Sequence, residues 1–219
     1  MSLKLIMLSE PQRWKWVLSG LNSLYTQRVF VRAIVPYTAD IFLFSFPVYL
    51  VGLYLRGVWK KLDYYKNAAL YIFSSGVGAI AVNLTIQLIA FKTRPEATLA
   101  IQNRLMMSHL PTNPFPSDHA AMTAAIAMAT WLRWKHNQDK LFIKLSYLLW
   151  IFCFITTISR VIGGIHWPTD ILAGICVWVL VASWFIQKKT FLFLKNKIFF
   201  WIILLEKNIF RTVFGIKQN

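Results

Sequence analysis

Three short polar clusters interrupt an otherwise apolar chain: Arg94-Pro95, then Pro116-Ser117-Asp118-His119, then Ser159-Arg160 followed by His166 and Asp170. Together they hold what metal-free cleavage of a phosphate ester needs. A nucleophile must stand in line with phosphorus, a proton must reach the departing oxygen, and cations or amide donors must hold the equatorial oxygens. His166 and Asp170 are four residues apart, one helical turn, and Pro168 suits the first turn of a helix beginning there. A carboxylate one turn away can bond one imidazole nitrogen and leave the other free to attack. That makes His166 the candidate nucleophile and Asp170 its orienting partner. The plainer alternative is a helix-capping aspartate with an interfacial histidine nearby.

Pro116-Ser117 also reads as a helix start, with Ser117 at the cap and the unpaired amides of the next turn available to an anion. His119, in that first turn, is the candidate general acid. Alone, the Ser-x-His pattern would be an ordinary cap. Arg94 and Arg160 supply planar, permanently charged forks that match phosphate oxygens. Each alone would be an interface anchor, but both end spans on the side that is otherwise poor in cations. His109 and His136 have no partner at useful spacing and read as surface histidines.

The elements that must position these groups are membrane helices. With 57% hydrophobic residues in 219, the chain is too apolar for an ordinary soluble domain, and Asn67 to Phe91 runs 25 residues without a charge. The expected fold class is all-α: one domain over residues 1–219, a polytopic membrane bundle of five to six transmembrane helices. Spans are predicted at Ala33–Leu55, Asn67–Phe91, Ser117–Leu132, Leu141–Ser159 and Asp170–Gln187, with an amphipathic interfacial helix within residues 1–30. Residues 190–205 read as a surface helix or a short sixth span, the former favoured. Asp40, near the first span's outer end, is expected to cap or pair.

The net charge of +16 comes from 24 Lys and Arg sitting mostly in short clusters between apolar stretches. That pattern reports topology and argues against nucleic acid as a partner; anionic lipid headgroups are the natural counter-charge. Arg56, Lys60, Lys61 and Lys66 share a side with Arg133, Lys135, Lys140, Lys188 and Lys189, so the three clusters are expected on the opposite, outer side. Cys153 and Cys176 are expected to be buried, inert thiols without metal-type spacing. No cleaved signal peptide is expected.

Residues 87–170 resemble the three-part signature of the type-2 phosphatidic acid phosphatase superfamily: Lys-x6-Arg-Pro, Pro-Ser-Gly-His, Ser-Arg-x5-His-x3-Asp. The third part matches at every fixed position, as Ser159, Arg160, His166 and Asp170. Two positions depart: Gln87 stands where the pattern has Lys, and Asp118 where it has Gly. Lys92 is a candidate substitute for the missing cation, and Asp118 is given a place in the site without a catalytic role. The Pro-Ser-Asp-His variant resembles the bacterial undecaprenyl-diphosphate phosphatase branch. The resemblance implies a phosphatase of the bacterial plasma membrane acting on a polyprenyl or other lipid phosphate, with no metal or cofactor. Another lipid phosphate, or a non-catalytic transporter or scaffold, remains as an alternative.

Overall fold

The computed structural model describes residues 6–95, 113–185 and 188–214, and within these the chain is almost wholly helical. Helix breaks fall where local chemistry dictates. Helix α1 (Gln12–Gln27) leads into α2 (Val29–Asp40), a 3-10 turn (Ile41–Phe44) and α3 (Ser45–Lys60). Lys61, at φ 54°, caps α3 in the left-handed conformation, and the chain reverses into α4 (Asp63–Ile89). This turn is tight because Gly57 lets Lys66 approach; a Cβ there would meet Lys66 Cγ at 2.7 Å. Helix α5 (Asp118–Asn137) is followed by α6 (Lys140–Ile162), whose first turn is capped by Asp139 accepting the Leu141 N–H at 2.9 Å. Helix α7 (Pro168–Phe185) completes the bundle.

Helix α5 is central and packs against α4, α6 and α7. Its buried residues are mostly small: Ala120, Ala121, Ala124, Ala125, Ala127 and Ala129 let neighbouring backbones come close, the usual way membrane helices gain contact. Among the described residues, three stretches are long and apolar enough to cross a membrane, namely Val29–Lys60, Asp63–Ile89 and Lys140–Ile162, and Pro168–Ala182 is a shorter apolar helix. Outward faces carry Phe73, Val77, Leu84, Leu148, Ile151, Phe154 and Leu180, while Thr123, Thr130, Ser146 and Asn83 are buried. Such an apolar exterior around a partly polar interior is the membrane arrangement.

The expected first span differs in detail. It begins earlier, at Val29, and is broken by the 3-10 turn just after Asp40. At that break the buried Asp40 carboxylate meets Arg160 Nη1 at 2.9 Å, so the backbone yields where a charge must be aimed inward. A strand precedes the helix expected within residues 1–30. Strand β1 (Ile6–Leu8) pairs in parallel with β2 (Ala90–Lys92), Leu8 opposite Lys92, a small strand pair in an otherwise helical fold. Helix α1 is amphipathic as expected and sets part of its apolar face on the bundle: Leu18 is buried with Ala120, Val161, Trp167 and Ile171, and Asn22 Nδ2 donates to Ile162 O at 2.9 Å, while Trp16, Val17 and Leu24 stay exposed.

After α7 come α8 (Lys188–Leu194), a π-helical turn (Lys195–Phe199) and α9 (Phe200–Phe214). The side chain of Phe199 is buried in the core. Glu206 bonds Lys66 Nζ at 2.8 Å and Tyr54 Oη at 3.0 Å, and Lys207 meets Asp63 at 3.0 Å. This tail therefore docks on the α3–α4 turn, at the end opposite the polar clusters. Cys153 is buried, but Cys176 lies exposed on the outer face of α7, correcting the expectation for that thiol.

Candidate active site

The α6–α7 turn builds the centre. Gly163 N–H closes α6 on Ser159 O at 2.8 Å, Gly164 adopts φ 76°, and Ile165 N–H returns to Arg160 O at 3.0 Å. Glycine takes that left-handed backbone without strain. The turn points His166 inward, 5% exposed. Its Nδ1 lies 3.1 Å from Pro114 O and 3.5 Å from Asp170 Oδ2. Both neighbours are acceptors, so Nδ1 carries the proton and Nε2 holds the free lone pair. Asp170 Oδ2 also accepts the Trp167 N–H at 2.8 Å, reaching back from the first turn of α7 like the acid of a capping box. The same carboxylate oxygen thus caps α7 and stands beside the imidazole.

The second cluster is bonded directly to the third. Ser117 N–H donates to Asp170 O at 3.0 Å, and Ser117 is buried at the start of α5. Its Oγ accepts the Ala120 N–H at 3.5 Å, a long cap bond. Gly174 of α7 makes this contact feasible: a Cβ would fall 2.7 Å from Ser117 O and 2.9 Å from Ala120 Cβ. From α4, Asn83 and Gln87 grip the same turn. Each donates to Pro116 O, at 2.9 and 3.1 Å, and each donates to Asp118 Oδ1, Gln87 at 3.0 Å. His119 follows in the first turn of α5, half-buried.

Arg94 Nη1 donates to Ile165 O at 3.3 Å, which sets it beside the His166 turn. Arg160 is buried, anchored by Asp40, and within electrostatic reach of Arg94, Asp118 and His166. Two guanidiniums that repel each other, one buried and one half-buried, favour an anion between them. Desolvation pushes the His166 pKa below the usual 6.5, against the opposing pull of Asp170, so the ring is neutral near pH 7.

Lys92 has a different neighbourhood from the phosphate-binding one expected. Its buried ammonium bonds Asp170 Oδ1 at 2.8 Å, Glu10 and Thr169. Gln87 likewise serves the Pro116–Asp118 turn. Asp40, expected to cap or pair, pairs with Arg160. Sequence reasoning missed Glu10, Asn83 and the carbonyl of Pro114. Asn83 carried a signal, a polar residue four before Gln87 on one face of an apolar helix. His109 and the side chain of His136 lie outside what the structure describes. Among the described residues, no three His, Cys, Asp or Glu are grouped to hold a metal ion.

Undecaprenyl-diphosphatase BcrC of Bacillus subtilis (strain 168) is 26% identical over 148 residues, covering 67% of this chain and 72% of that protein. Bacitracin transport permease protein BcrC of Bacillus licheniformis is 35% identical over 89 residues; these are 41% of this chain and only 39% of that relative's length. The first transmembrane PAP2 type phosphatidylglycerolphosphate phosphatase from Bacillus subtilis, a crystal structure, aligns at 17% identity and a TM-score of 0.39 over 82% of this chain and 81% of its own, too loosely to weigh. The sequence profile of the PAP2 superfamily matches residues 67–193, more than half of the chain. Because that match runs through all three polar clusters and the helices that carry them, this multi-pass membrane protein belongs to the PAP2 superfamily of phosphatases.

Proposed function

We propose that the chain hydrolyses undecaprenyl diphosphate to undecaprenyl phosphate and inorganic phosphate, at the outer face of a bacterial plasma membrane, through a phosphohistidine at His166. The observation that carries the reading is the His166 ring, with Nδ1 facing two acceptors and Nε2 left as the free base. Nε2 attacks the terminal phosphorus. A P–N bond forms, the bond from phosphorus to the bridging oxygen breaks, and His119 gives its proton to that oxygen. Water then attacks the phosphohistidine, His119 takes its proton, the P–N bond breaks and inorganic phosphate leaves. Arg94, Arg160, Ser117 and the N-terminus of α5 hold the equatorial oxygens. Gln87 and Asp118 hold the turn that carries Ser117 and His119, and Lys92 holds Asp170.

A lipid substrate is supported by an apolar groove of about 320 Å³ between α3, α4 and α5. Its lining includes Phe46, Leu50, Phe73, Ile80, Met122 and Ile126. Ile80 and Met122 lie one helical turn from Asn83 and Asp118, so a tail in the groove would leave its headgroup at the site. The diphosphate assignment is supported by similarity to a protein named undecaprenyl-diphosphatase. The outward-facing site is supported by the cluster of basic residues at the opposite end.

The test is phosphate release by the purified chain from undecaprenyl diphosphate, phosphatidylglycerophosphate, phosphatidic acid and lipid A, side by side. Fastest release from undecaprenyl diphosphate is expected. A phosphomonoester turned over far faster contradicts the diphosphate assignment. Release from none of them contradicts hydrolysis and favours the transport reading that the second relative's name suggests.

A further inference from the structure

Three charged side chains are packed in a row behind His166. Asp170 Oδ1 meets Lys92 Nζ at 2.8 Å, and the same ammonium bonds Glu10 Oε2 and Thr169 Oγ1. The side chains of Glu10, Lys92 and Asp170 are 2%, 3% and 0% exposed. An ammonium has three donors, and all three are engaged, so Lys92 has none to offer a phosphate. Thr169 Oγ1 in turn donates to Glu10 Oε2 at 2.6 Å. Glu10 arrives there because β1 runs parallel to β2 with Leu8 opposite Lys92, and two further residues carry the chain past it.

We infer that Glu10 is a positioning residue for the reaction, acting through Lys92 to leave one net negative charge facing His166; this rests on the proposed roles of His166 and Asp170. With Lys92 paired to Asp170 alone, the two charges cancel and His166 faces a neutral pair. The Nδ1–H is then weakly polarised, and the positive charge that grows on the ring as Nε2 bonds phosphorus is uncompensated. With Glu10 present the row sums to minus one, and burial keeps water from screening it. Anchoring the N-terminus does not need this carboxylate. The β1–β2 pairing, Leu18 and Asn22 already do so, and a buried ion pair is a poor stabiliser beside apolar packing.

The charged groups that act on His166 are Asp170 on α7, Arg160 on α6 and Arg94 just after β2, and Lys92 on β2 reaches the ring through its bond to Asp170. Glu10 acts on this set from behind Lys92. The experiment compares the full-length wild type with Glu10→Gln, Glu10→Asp and Lys92→Met in nanodiscs, reading kcat, KM and the acid limb of the pH profile on undecaprenyl diphosphate. For Glu10→Gln, kcat falls about tenfold with KM within about twofold. Its acid limb moves to lower pH, because a negative charge near the imidazole is gone. Glu10→Asp keeps the charge and restores most of kcat. Lys92→Met moves the acid limb the other way. Glu10→Gln with wild-type kcat and an unmoved acid limb overturns the inference, as does a loss of kcat with no shift that Glu10→Asp fails to rescue. A wild type that releases no phosphate from any lipid overturns the proposed function itself, which separates the two failures.

Discussion

Gln87 and Asp118, the two positions at which this chain departs from the family pattern, are bonded to each other, Gln87 Nε2 donating to Asp118 Oδ1 at 3.0 Å. The pattern's Lys and Gly are thus replaced together by an amide and a carboxylate. A lysine at position 87 would be drawn to Asp118 instead of the phosphate, whereas an amide satisfies the carboxylate without adding charge. Asn83 donates to the same oxygen. The Asp118 carboxylate is thereby tied to α4, and this bond fixes the turn carrying Ser117 and His119.

That arrangement predicts energetic coupling. In a double-mutant cycle with Gln87→Ala and Asp118→Ala, read in kcat/KM, the two effects should fall short of additivity by about 1 kcal/mol. Strict additivity would mean that the contact does not hold the turn.

The buried imidazole predicts the pH dependence. Burial lowers the His166 pKa below 6.5, so the reactive neutral form persists as pH falls through 6.5, and the acid limb of kcat/KM lies below that value. Stability follows the same sign: the unfolded chain binds this proton first, so the fold loses stability as pH drops through 6.5 toward the folded pKa. A pH–rate profile on the purified chain, with thermal unfolding across the same range, checks both.

Close packing at the site predicts that Gly174→Ala is severe for its size. The added methyl meets Ser117 O and Ala120 Cβ, one of them backbone, so α5 and α7 must part. Overpacking of this kind costs about 1–3 kcal/mol. The melting temperature should fall, and kcat should fall further than it does for Gly52→Ala, where a methyl group meets nothing within 4 Å.

The helices were legible because each apolar stretch is long and ends at charged or turn-forming residues, and the clusters were legible because phosphate chemistry needs few residue types at fixed spacing. His166 and Asp170 are neighbours within one helical turn, which spacing alone reveals. What sequence could not reveal depends on segments far apart in the chain. Lys92 with Glu10, Arg160 with Asp40, and Asn83 with the Pro116 turn are pairings that only the packed bundle brings about. The break after Asp40 was hidden for the same reason, since the ion pair that it serves spans 120 residues. Cys176 looked buried because its surroundings are apolar, yet in a bilayer the apolar face points outward.

Attack by Nε2 of His166 on phosphorus is tested most directly by rapid-quench trapping with undecaprenyl diphosphate labelled at the terminal phosphorus. The account predicts transient label on the protein, stable to base and labile to acid, mapping to His166 and absent from His166→Gln, which releases no phosphate. Label on another residue, or phosphate release by His166→Gln at the wild-type rate, would contradict it.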